Sequence, residues 1–164
     1  MHETFATLHV VGAISAYLTA FIIFTQRVGG RGHRMIGIGY AVAMLTTALS
    51  GFGLYNFGHP SIFHVFSVIT VVTVSRGWYA IYQYRATQDK NHLINHYFNM
   101  AYSFMALNLA SIAQGMRFFT FESLMEYFSV LGLLYLFAVM LANRLIQKVY
   151  FRRFSGWFGV KPAE

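Results

Sequence analysis

Seven histidines stand in a chain of 164 residues that has no cysteine and only five carboxylate side chains. The lack of cysteine removes disulfides, iron–sulfur clusters and thiolate zinc sites, so metal or electron chemistry must rest on imidazole. The sharpest spacing is in "DKNHLINHYFNM", residues 89–100, where His92 and His96 stand four apart and share one helical face. Imidazoles in this setting serve three chemistries. A b-type haem takes one neutral histidine from each of two helices, with an apolar slot between them. A zinc ion takes three histidines and a water, and His92, His96 and His33 would make such a set. The third use is plain hydrogen bonding at a membrane interface. A zinc hydrolase would also need a general base; Asp89 is nearby but reads equally as a helix cap, and there is no HExxH. No GxSxG, P-loop or pair of carboxylates offers other chemistry. Glu122 and Glu126 are four apart, but Glu126 forms a capping box with Ser123, and Arg117 is available to Glu122 as a salt partner.

The composition dictates what must carry these histidines. The chain is 57% apolar, 18% aromatic and only 10% charged, against a charged share of about 25% in soluble domains. That is the composition of an integral membrane protein with one domain, and five stretches reach the roughly 20 residues a membrane helix needs. The predicted spans are about 5–26, 33–55, 61–83, 92–116 and 124–146, an all-α bundle of five transmembrane helices. Turn chemistry or charge separates them, with Pro60 suited to the first turn of the third. The amino terminus lacks the basic segment of a cleavable signal and reads as the first span.

Ten cations (Arg27, Arg31, Arg34, Arg85, Lys90, Arg144, Lys148, Arg152, Arg153 and Lys161) fall on one side of this arrangement, and only Arg117 on the other. The positive-inside rule then puts the N-terminus outside and the C-terminus inside. The net charge of +7 is thereby a topology signal, and nucleic acid is not expected as a partner. The basic, aromatic tail 147–164 suits an anionic leaflet, or serves as a stop-transfer anchor.

Orientation turns sequence position into depth. His33, His92 and His96 form an inner group on spans two and four. His9 and His64 form an outer group on spans one and three, while His2 and His59 belong to interfacial segments. On span four His92, His96, Asn99, Ser103, Ala106, Ala110, Gln114 and Arg117 follow one helical stripe that should face the bundle interior. His9, Ala13, Ala16 and Ala20 make a small-residue stripe on span one. Span two offers His33, Gly37, Tyr40 and Met44; Gly37 would admit either a flat ligand or a neighbouring helix. Two b-type haem sites are conceivable, His33 with His92 or His96 inside and His9 with His64 outside. Arg76, inside span three, would reach haem propionates or snorkel to headgroups. "TTALSGFG" at the outer end of span two would border a quinone or lipid cleft.

The segments "GRGHRMIGIGYAVAMLTTALSGF" and "FHVFSVITVV", with the His92 stretch, resemble the bacterial membrane proteins grouped as domain of unknown function 2306. The resemblance lies in an HRxxG motif opening a span (His33, Arg34, Gly37), a later HxxS (His64, Ser67), a histidine opening the next span (His92) and an arginine beyond it (Arg117). It covers roughly residues 27–117 and departs from the family where Leu93, not arginine, follows His92. It implies location in the bacterial inner membrane and marks His33, His64, His92 and Arg117 as a set. It implies no activity.

The expectation from sequence is thus a small haem-binding electron-transfer protein, exchanging electrons with a quinone or belonging to a respiratory complex. The alternatives are an accessory membrane subunit packed against a larger complex or its own copies, and a zinc-dependent membrane enzyme.

Overall fold

The computed structural model describes residues 2–26, 29–54 and 62–158. It consists of five long helices: α1 (His2–Thr25), α2 (Arg31–Gly51), α3 (Ile62–Thr87), α4 (Lys90–Gly115) and α5 (Leu124–Phe158), with a short 3-10 turn, Met116–Phe118, after α4. His59 and Pro60, together with Arg27 and Lys161, lie outside the described residues.

The all-helical expectation holds. Three segments are long and apolar enough to cross a membrane, Glu3–Thr25, Phe63–Thr87 and Leu124–Tyr150. Helices α2 and α4 are the more polar pair, because Thr47, Ser50 and Ser103 sit in the buried core. The hydroxyls of these residues return to carbonyls of their own helix, as in Thr47 Oγ1 to Ala43 O at 2.9 Å and Ser103 Oγ to Met100 O at 2.8 Å. A hydroxyl satisfied in this way can be buried without a partner from water.

Helices α1 to α4 surround one core, made by Ala16, Ala20, Tyr40, Met44, Val74 and Leu107 among others. Close approach is built from small residues. A Cβ at Gly12 would stand 2.6 Å from Thr47 Oγ1 and 3.2 Å from Ala43 O, so α1 and α2 meet backbone to backbone there. A Cβ at Gly77 would run into Met100 and stand 3.2 Å from Asn99 Cβ, which seats α3 against α4. Without a solvent-driven hydrophobic term in lipid, such packing is what holds membrane helices together. Tyr17 closes the ring of four helices by donating to Ser111 Oγ at 2.9 Å, its ring edge-on to Phe104.

The ends follow local rules. The α3–α4 hairpin needs only Gln88 and Asp89; Gln88 takes a left-handed φ of 58° and its N–H reaches Tyr84 O at 2.8 Å, which ends α3. Asp89 caps α4 by accepting from Asn91 N at 2.9 Å. At the start of α5, Glu126 N donates to Ser123 Oγ at 3.1 Å while the Glu126 carboxylate accepts from Glu122 N at 2.8 Å. The expected capping box is present, with its return arm one residue further out. Helix α5 does not stop where its apolar span was expected to end, near residue 146; it continues through Phe158. Aromatic stacking explains the continuation: Tyr150 and Phe154 pack on Tyr97 and Phe98 of α4 with ring centroids 5.1–6.5 Å apart, and Tyr97 donates to Ile146 O at 2.7 Å.

Candidate functional site: two histidine levels

Helices α2 and α4 run in the same direction, so equal steps along each keep two residues at one level. Tyr40 and Ser103 meet hydroxyl to hydroxyl at 2.9 Å across this pair, 63 apart in sequence. Met44 and Leu107, with the same offset, share the core. One heptad back along both helices, about 10 Å nearer their start, the same offset pairs His33 with His96. His92 falls at the level of Gly29, before α2 begins. Of the two histidines in the opening segment of α4, His96 is therefore the one opposite His33.

His96 is also the better held. Its Nδ1 lies 2.9 Å from Gly77 O on α3. A carbonyl oxygen only accepts, so Nδ1 carries a proton, and in the neutral ring Nε2 keeps its lone pair. The bare backbone at Gly77 seats α3 against Met100 and Asn99 of α4, which brings its carbonyl within reach of the ring. His92 is half-buried.

Gly37 completes this level. By helical angle it lies within the same arc of about 60° as His33, Tyr40 and Met44, yet a Cβ built on it would meet nothing within 4 Å. The helix contact that Gly37 was held to permit is not made, and open space stands there instead. Tyr40 and Ser103, both buried, close the space on the side away from the α2 amino terminus.

The second level lies about 20 Å further along α2, from the 14-residue step between His33 and Thr47. His9 Nδ1 stands 2.9 Å from Thr47 O, so His9 has the same tautomer as His96, held by a carbonyl of the adjacent helix. A Cβ on Gly51 would lie 3.5 Å from His9 Nδ1 and Cε1, and 2.8 Å from Ser67 Oγ of α3. His64, one turn before Ser67, is buried, with its ring centroid 6.2 Å from that of Phe52. The expected grouping of His9 with His64 thus corresponds to a cluster in which α1, α2 and α3 converge on Gly51 and Phe52.

Other expected residues divide. Arg76 is exposed on α3, although its neighbour Gly77 faces α4. The Arg117 and His2 side chains lie outside the described residues. Gln114 does not face the interior; it is exposed, and Ala113, 1% exposed, takes the buried place. The stripe was carried from Ala110 to Gln114 by a step of four, whereas a step of three reaches Ala113, one heptad beyond the buried Ala106. At the carboxyl end of α2, where a cleft was expected, the helix runs unbroken to Gly51, and Thr46 lines a groove of about 370 Å³ between α1 and α2 together with Gly12, Gly39 and Ala43.

The three-histidine zinc set is not assembled. Among the described residues no three His, Asp or Glu side chains gather in a group able to hold a metal ion. Asp89, the candidate base, has both oxygens directed to Asn91. What sequence reasoning missed were the two carbonyls, of Thr47 and Gly77, and the Tyr40–Ser103 pair. The shared offset of His33/His96 and Tyr40/Ser103 was the available signal for the second. No protein-family model, curated protein or solved structure matches the chain.

Proposed function

We propose that the protein is a five-span membrane protein, N-terminus outside, that binds haem b between α2 and α4 and passes single electrons to or from a quinone or a partner protein. The observation that carries this reading is the common register of His33 and His96. By the offset that Tyr40 and Ser103 fix, they stand at one level on two parallel helices, beside open space at Gly37. The donor set suits a b-type haem: His96 is fixed as a neutral imidazole whose Nε2 lone pair is available for iron, and a carbonyl partner on the other ring nitrogen is the usual support for a ligating histidine. His9 is held in the same way at the other level, and with His64 it is the basis for proposing a second haem there. When bound, the iron would supply one-electron redox chemistry. The chain's own residues supply two imidazole ligands, an apolar wall from Met100, and a hydroxyl floor from Tyr40 and Ser103.

Localisation in the bacterial inner membrane, the likeness to domain of unknown function 2306, and roles for Arg76 and Arg117 toward haem propionates belong to the same proposal. The test is a visible spectrum, oxidised and dithionite-reduced, of protein expressed with ample haem and purified in detergent. We expect a Soret band with sharp reduced α and β bands. His96→Ala and His33→Ala should each remove the contribution of the α2–α4 site, whereas His92→Ala should keep it. No Soret band in the native protein would end the electron-transfer reading.

A second reading draws on α5. Its apolar side chains, among them Leu133, Phe137 and Leu141, are largely exposed, as would suit an accessory subunit packed against a larger membrane complex. Partner chains co-purifying with a haem-free protein would favour it.

A further inference from the structure

The outward face of α5 changes character along its length. Leu133, Phe137 and Leu141 are exposed, and the face continues through Arg144, Lys148 and Arg152, all exposed. Successive steps of three or four residues keep these six within one stripe. That stripe lies opposite the side on which Ile146, Tyr150 and Phe154 pack against α4. The three cations therefore point away from the bundle on a helix that its own aromatic contacts hold straight.

Depth supplies the second part of the argument. The apolar part of α5 begins beside Glu122 and Glu126, and about 20 residues span the hydrocarbon core. This brings Arg144 to its far boundary. Arg144 to Arg152 then covers about 12 Å, which runs from the hydrocarbon edge through the roughly 5–8 Å headgroup region of one leaflet. A column of cations at headgroup depth, continuous with an apolar strip at acyl-chain depth, matches the two halves of one phospholipid. Among the described residues, the only carboxylate at this end is Asp89, and it is directed to the α4 cap. The charge is left for an external anion.

We propose that this face is a binding site for anionic phospholipid, the headgroup phosphate held by Arg144, Lys148 and Arg152 and the acyl chains lying along Leu141, Phe137 and Leu133. The proposal requires only that α5 crosses the bilayer and is independent of the histidines, so it stands or falls apart from haem binding. A phosphate engaged by arginine gains paired N–H donors. Each basic residue near a membrane surface is worth about five-fold in affinity for anionic lipid.

The full chain is reconstituted in phosphatidylcholine vesicles containing trace spin-labelled phosphatidylglycerol or spin-labelled phosphatidylcholine, and the motionally restricted fraction of each label is measured. The native chain should select phosphatidylglycerol by at least about five-fold, less so at high salt. The triple variant R144Q/K148Q/R152Q should fall to near parity. A control triple, R31Q/R34Q/R85Q, removes three exposed cations from the same end and should keep the preference. The proposal is overturned if the first variant retains selectivity. It is equally overturned if the control loses as much, since diffuse charge would then explain the effect, or if the native chain has no preference. Because the three positions face outward, helix content by circular dichroism should be unchanged; K148Q alone should give an intermediate loss.

Discussion

His9 and His96 sit in different halves of the molecule and are held alike, each donating from Nδ1 to a carbonyl on the next helix. In a medium without water an imidazole cannot leave both nitrogens to chance, since each unmet polar atom costs free energy. A neighbouring backbone oxygen becomes reachable only where a helix is thin. At Gly77 and beside Gly51 that condition is met: a side chain at Gly77 would drive α4 away through Met100 and Asn99, and one at Gly51 would run into Ser67 of α3. Glycines at other positions do opposite jobs, and substitution separates them. Gly12→Leu would press a side chain into the Thr47 and Ala43 backbone, and we expect a loss of roughly 1–3 kcal/mol in detergent unfolding. Gly37→Leu would enter open space; it should fold with near-native stability while lowering haem content. Native haem content in Gly37→Leu would remove that space from the proposed site.

At the scale of elements, α4 joins two associations. One face meets α2 and α3 through His96, Met100, Ser103 and Leu107; another takes α5 through Tyr97 and Phe98. Near its start α5 packs through Leu131 and Tyr135 on Ala113, Phe63 and Phe66; beyond Ile146 it is pinned by the Tyr97 hydrogen bond and the aromatic stack. Tyr97→Ala should therefore speed hydrogen exchange in residues 147–158 and leave α1 and α2 unchanged. Tyr97→Phe keeps the ring and loses only the hydroxyl, a change of about 0.6 kcal/mol by the average for such bonds in membranes. Equal protection in all three proteins would mean that the α5 end is ordered by something other than α4.

For the whole molecule, the topology proposed from the basic residues can be tested directly, because the chain has no cysteine to mask. Single substitutions Glu3→Cys and Glu122→Cys should react with an impermeant maleimide from outside intact cells. Arg31→Cys and Asp89→Cys should react only after the membrane is opened. Labelling of Asp89→Cys in intact cells would mean that α3 and α4 do not both cross, or that the orientation is reversed.

Sequence determined the helical class, the number of long helices and most of their inward faces, because apolar runs, caps and small-residue stripes are local properties. The capping box at Ser123 and the buried run Ala16, Ala20, Tyr40, Met44 were legible for that reason. Histidine levels were legible as well, since depth follows from counting residues along helices of fixed rise. Tertiary structure decided which histidine faces which. The choice of His96 over His92 depends on the axial register of α2 against α4, and that register is set by Tyr40 meeting Ser103 and by α3 seating on Gly77. It also decided that Gln114 is exposed and that α5 runs on to Phe158, because helix rotation and extension depend on contacts with partners distant in sequence.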